Sequence, residues 1–151
     1  MEHLRLYPQI LEALAALRAK GFRLWLLSNA QRVFTAYELR YLGLGGAVRR
    51  HLPFLGLQLP QAGPVKFFAA LLDEQKLDPA RCLMIGNDRE TDIAGAVNAG
   101  LATLYLHTGL TPPDQEPADP ARTPGKAPAD CRRYEYEGDD WAALTALLCR
   151  L

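Results

Sequence analysis

Apolar and polar positions follow two alternating rhythms along this chain, and the alternation predicts helix and strand in turn. Ile10, Leu14 and Leu17 recur at spacings of four and three after Pro8, so this stretch reads as a helix with one buried face. Gly21 stands where a helix C-terminus favours a left-handed residue. Phe22 to Leu27 is a short apolar run broken only by Arg23, and Ser28-Asn29-Ala30 follows it. Such a run reads as a buried parallel strand that ends in a polar turn. A second helix is predicted over residues 31–42, with Val33, Tyr37 and Tyr41 on one face and Gly43 at its end. Residues 51–59 form a further strand candidate interrupted by Pro53 and Gly56. Pro64 opens a third helix running to Lys76, with Phe67, Phe68, Leu71 and Leu72 packed inward, and Asp78-Pro79 marks a turn.

The clearest strand is Cys82-Leu83-Met84-Ile85, which runs into Gly86-Asn87-Asp88. A helix is predicted over residues 91–99, with Ile93 and Val97 buried and Gly100 ending it, and a strand over residues 101–106. Residues 111–128, rich in Pro, Ala and Asp, read as a long mobile surface loop. A short strand at residues 134–136 and a helix from Asp139, packing Trp141, Leu144 and Leu148, close the chain. Alternating helices and apolar strands imply right-handed βαβ units, hence an α/β fold: a three-layer, Rossmann-like parallel sheet with helices on both faces. All 151 residues are expected to form one domain. In such sheets ligands bind at the carboxyl ends of the strands, which singles out the loops beginning at Ser28 and at Gly86.

Composition narrows the function. The 17 basic and 17 acidic residues cancel, and no basic stripe is present, which argues against a nucleic-acid partner. No apolar run approaches the roughly 20 residues that span a bilayer, and the N-terminus lacks the apolar stretch of a secretory signal. Cys82, Cys131 and Cys149 are scattered, without metal-ligand spacing, and fit a reduced, cytoplasmic protein better than a disulfide framework.

Asp88 and Asp92 are the residues best suited to chemistry. Four apart, they straddle a strand end and a helix start, and hard divalent cations such as Mg²⁺ take carboxylate oxygens together with waters and a substrate phosphate. On spacing alone, the readier reading makes Asp92 a complement to the helix dipole and Asp88 a loop residue. Ser28 has two readings as well. Its hydroxyl and the following backbone N–H groups could bind a phosphoryl oxygen, or it could simply cap the next helix. It has neither a nearby histidine nor a Gly-x-Ser-x-Gly elbow, so it is not read as a nucleophile.

Two segments resemble motifs of the haloacid dehalogenase-like (HAD) hydrolases. Tyr7-Pro8 with Gly21-Phe22-Arg23-Leu24-Trp25-Leu26-Leu27-Ser28-Asn29 resembles the second motif, where a strand ends in a Ser or Thr that contacts the transferred phosphoryl group. Leu83-Met84-Ile85-Gly86-Asn87-Asp88-Arg89-Glu90-Thr91-Asp92-Ile93-Ala94-Gly95-Ala96, closing at Ala99-Gly100, resembles the fourth motif, whose acids hold Mg²⁺. The resemblance implies a phosphatase acting on a small phosphorylated molecule through an aspartyl-phosphate. It places Asp88 and Asp92 on the metal, and Ser28 and Asn29 on the phosphate.

Three departures accompany the resemblance. The family's nucleophile is an aspartate in an Asp-x-Asp sequence on the first, central strand, yet the acids preceding Ser28 are Glu2 and Glu12. That strand and the helical cap which often follows it are therefore expected to be missing, making this a truncated form with little or no activity. The two flanking strands would then carry unpaired edges through which chains could self-associate. The third-motif lysine position falls at Gln61 or Ala62, and Lys66 is the nearest lysine. Gly86-Asn87 stands where Gly-Asp is usual, with Asp88 one place later. The alternative these departures leave open is a non-catalytic binding or regulatory module of the same fold.

Overall fold

The computed structural model describes residues 5–28, 32–46, 50–53, 64–107, 132–138 and 140–150. They belong to two compact units, one built from residues 1–58 and 139–151 and the other from residues 59–138.

The first unit begins with α1 (Ile10–Ala19), which buries Ala13 and Leu17. It ends in a Schellman turn: the Phe22 N–H donates to the Leu17 carbonyl at 3.2 Å and the Gly21 N–H to the Arg18 carbonyl at 2.9 Å. Gly21 has φ 91°, which glycine adopts without steric penalty. This turn overrules part of the expected strand. Phe22 is its last residue and is 46% exposed, while the strand itself, β1 (Trp25–Ser28), starts three residues later. β2 (Arg50–Pro53) pairs with β1 in parallel, Trp25 opposite Arg50 and Ser28 opposite Pro53.

Between these strands lies α2 (Arg32–Tyr41), on which Tyr37 and Tyr41 share one face as expected. Leu39 is 6% exposed, whereas Tyr37 and Tyr41 are 50% and 53% exposed and stack on each other, centroids 6.3 Å apart. Tyrosine keeps a hydroxyl that is costly to bury without a partner, so the leucine faces the core and the tyrosines pair at the surface. The unit closes with α5 (Trp141–Leu148), capped by Asp140, whose Oδ1 accepts from the Ala143 N–H at 2.9 Å. It packs on α1, buries Leu144 and Leu148, and sets Trp141 against Tyr7 at 5.8 Å between ring centroids.

The second unit contains α3 (Pro64–Glu74), β3 (Leu83–Gly86), α4 (Ala94–Asn98), β4 (Ala102–His107) and β5 (Arg133–Glu137). Its sheet is parallel throughout, in the order β3-β4-β5. Phe68, Leu71, Ile93, Ala96, Val97, Leu101, Leu104 and Tyr105 are buried here, with Leu104 at 0% exposure on the central strand. β5 alternates exposed Arg133, Glu135 and Glu137 with half-buried Tyr134 and Tyr136, as an edge strand covered on one face should. The expected α/β architecture with parallel strands is thus what forms. The loop expected at residues 111–128 lies outside the described residues. No helix among the described residues is long and apolar enough to cross a membrane.

Candidate metal and phosphate site

Asp88 and Asp92 meet at the carboxyl end of β3, and the backbone between them explains how. The expected helix over residues 91–99 begins earlier and differently: residues Arg89–Ile93 form a single π-helical turn before α4. The Ile93 N–H reaches back five residues to the Asp88 carbonyl at 3.1 Å, and the Ala94 N–H likewise bonds to the Arg89 carbonyl. Such wide turns are rare and recur at functional sites.

Asp88 caps this turn. It is extended (φ −110°, ψ 115°), and its Oδ1 accepts from the Glu90 N–H at 2.9 Å and the Thr91 N–H at 2.8 Å. Both capping bonds fall on one oxygen, which leaves Oδ2 to another ligand. Asp92, half-buried, turns back toward the strand end. Its Oδ2 accepts from the Asp88 N–H at 3.4 Å, and its Oδ1 accepts from the Thr91 hydroxyl at 3.4 Å. Gly86 is what admits it: a Cβ at position 86 would lie 2.6 Å from Asp92 Cβ and 2.8 Å from its Cγ. Burial pushes the Asp92 carboxyl up from its ordinary range; the Asp88 N–H opposes that, and the Asp88 charge adds to it.

The other expected residues are placed less fully. Ser28 is the last residue of β1, in the first unit, and Lys66 is in the first turn of α3, in the second. Asn29, Gln61 and Ala62 lie outside the described residues.

A neighbouring cluster was not foreseen from the sequence. The Arg89 guanidinium lies 4.2 Å from the Tyr105 ring centroid, and its Nη2 is 3.9 Å from Glu135 Oε1. Glu135 Oε2 is 2.9 Å from His107 Nε2, and the His107 ring meets the Tyr105 ring edge-on at 4.5 Å. The only signal was alternation: Tyr105 and His107 share one face of β4, and Glu135 sits opposite Tyr105 on β5. That register appears only once the strands pair.

Among the described residues no group of three or more His, Cys, Asp or Glu side chains is placed to hold a metal. Mg²⁺ does not require one, since one or two carboxylates with waters and a substrate phosphate satisfy it. A capped carboxylate beside a half-buried carboxylate that burial, and then its neighbour's charge, make costlier to ionise fits such a cation.

Comparisons with known proteins identify the family. Residues 1–100 match the model of the haloacid dehalogenase-like hydrolases. Glyceraldehyde 3-phosphate phosphatase of Methanothermobacter thermautotrophicus is 28% identical over 115 residues, covering 75% of this chain and 50% of that protein. Phosphoglycolate phosphatase of Vibrio vulnificus is 32% identical over 105 residues, covering 69% of this chain and 45% of that one. The chain thus spans half or less of the length of these relatives. A crystal structure of a HAD phosphatase from Thermococcus onnurineus superposes with a TM-score of 0.68 at 17% identity, covering 95% of this chain and 58% of that one, which shows a shared fold. With the match covering most of its length, the chain belongs to the haloacid dehalogenase-like hydrolase family.

Proposed function

We propose that this chain supplies the cation- and phosphate-gripping part of a Mg²⁺-dependent phosphatase acting on a small phosphorylated metabolite in the cytoplasm. The observation that carries the proposal is the Asp88–Asp92 pair, folded against Gly86 at the carboxyl end of β3. The family, and the phosphatases named among the relatives, support the reaction class.

In this reading Asp88 and Asp92 are the protein's ligands to the cation. When bound, the cation supplies Lewis-acid charge to the phosphoryl oxygens. Ser28 and Asn29 donate hydrogen bonds to those oxygens, and Lys66 is the nearest candidate for the positive charge that the Gln61-Ala62 region does not provide. The first aspartate of the chain is Asp73, on α3, so no residue before Ser28 can form an aspartyl-phosphate. We therefore assign the attacking carboxylate to residues outside these 151.

The test compares this chain with a form extended at its N-terminus by a strand carrying Asp-x-Asp, both assayed on an aryl phosphate with Mg²⁺. Turnover is expected from the extended form, lost in its Asp92→Asn variant, with little or none from the 151 residues alone. Robust turnover by the short chain would defeat the account of the nucleophile. The absence of a lysine at Gln61 or Ala62 favours a second reading, a binding module without catalysis. It predicts that the extended form binds cation and phosphate yet turns nothing over.

A further inference from the structure

We propose that Arg89 is a positioning residue for the cation site, holding open the π turn that brings Asp88 and Asp92 together; the inference rests on the reading of those two acids given above. A π turn is seldom stable unaided, because its wide ring packs poorly and is disfavoured against ordinary helix. Here the turn is anchored at its first residue. The Arg89 backbone carbonyl receives the Ala94 N–H that closes the turn. Its side chain, 15% exposed, lies over the Tyr105 ring at 4.2 Å. Tyr105 is itself 4% exposed and fixed in β4. Glu135 on β5 faces the guanidinium at 3.9 Å, and His107 holds the other Glu135 oxygen at 2.9 Å. Two neighbouring strands therefore grip the residue that stands between Asp88 and the rest of the turn.

The grip has a cost that a surface arginine would not bear. Among the described residues Arg89 Nε is buried without a hydrogen-bond partner, and a buried unsatisfied donor is destabilising. Arginine suits the position because its planar guanidinium stacks on an aromatic face while offering a fork to a carboxylate, which lysine cannot do. The direction of the effect separates this role from simple electrostatics. A positive charge beside a cation site opposes cation binding, so an arginine acting only as a charge should weaken it. An arginine that positions the carboxylates should strengthen it.

The experiment titrates Mn²⁺ into the full chain, followed by electron paramagnetic resonance with Mg²⁺ as competitor, for the native protein, Arg89→Met, Arg89→Lys and Glu135→Gln. Amide exchange over residues 90–94 is measured alongside. Arg89→Met should bind Mn²⁺ about tenfold more weakly or worse, the scale on which supporting residues act on a metal site. Arg89→Lys should not restore the affinity, and Glu135→Gln should lose affinity in the same direction by less. Residues 90–94 should exchange faster in all three variants. The Glu135 side chain is 57% exposed, so Glu135→Gln carries the test if Arg89→Met fails to fold. Affinities equal to or tighter than the native protein's would overturn the proposal. If the native chain binds no Mn²⁺, the reading of Asp88 and Asp92 fails on its own account. The exchange rates then decide alone, and unchanged protection of residues 90–94 overturns the role given to Arg89.

Discussion

The side chain of Asp92 occupies the space that a side chain at Gly86 would fill, with Asp92 Cβ only 2.6 Å from where a Cβ on residue 86 would stand. Strand end and turn are thereby coupled, since Asp92 can fold back only because position 86 has no side chain. Gly86→Ala must displace either the carboxylate or the strand. Overpacking of this kind costs about 1–3 kcal/mol. The expected outcome is a lower midpoint in urea unfolding together with loss of Mn²⁺ binding. A variant that binds Mn²⁺ as the native chain does would show that Asp92 is not held in the position described.

Asp88 has two roles that substitution can separate. As a cap it satisfies two N–H groups of the π turn through one oxygen. Asp88→Ala removes both bonds and should cost about 0.5–2 kcal/mol, the usual range for a lost cap. Asn is as good a cap as Asp, so Asp88→Asn should unfold close to the native midpoint while binding Mn²⁺ distinctly more weakly. Thermal unfolding and the cation titration on the same two variants check this. Unchanged Mn²⁺ affinity in Asp88→Asn would leave the residue a cap and nothing more.

Much of this arrangement could be anticipated from residue pattern, and the exceptions share a cause. Strands β3 and β4 were legible because buried parallel strands are near-continuous apolar runs. Gly21, Gly43 and Gly100, each expected to end a helix, have φ of 91°, 71° and 87°. The meeting of Asp88 with Asp92 was legible as spacing, but the π turn between them was not. Apolar periodicity marks a buried face and does not distinguish a bond reaching back four residues from one reaching back five. The spacing of Tyr37 and Tyr41 on α2 placed them on one face but did not say that the face is exposed, because aromatic rings count as apolar in a pattern. The Arg89, Tyr105, His107 and Glu135 cluster joins three elements and depends on strand register, which no local pattern records.

Leu104 tests the core that carries the site. It has no exposed surface and lies at the middle of β4, between the strand that ends at Gly86 and the strand that holds Glu135. Leu104→Ala should destabilise the protein by about 2–5 kcal/mol through lost burial and the cavity left behind. Urea unfolding reads this directly. A change well under that range would mean that the two neighbouring strands close the gap without cost, and that the sheet is more plastic than its burial implies.

The raised Asp92 pKa gives a stability penalty whose size depends on pH. Burial comes first among its causes and the Asp88 charge adds to it, so the folded chain holds the Asp92 proton more tightly than the unfolded chain does. Above the folded-state pKa, Asp92 is ionised in both states and its charge subtracts from stability. That penalty fades as pH falls through the folded-state pKa, and it is gone below the ordinary aspartate value, where both states are protonated. Asp92→Asn keeps an oxygen for the Asp88 N–H and removes the charge. In the presence of a chelator it should therefore be more stable than the native chain at neutral pH, and the difference should close on acidification. Mg²⁺ should narrow the same difference at neutral pH by stabilising only the native chain, because a bound cation offsets the charge that Asn lacks. Chemical unfolding of both proteins, with and without Mg²⁺ across this pH range, provides the check. A native chain that is the more stable of the two at neutral pH without metal would mean that the Asp92 charge is already compensated within the protein, and that no cation is needed to balance it.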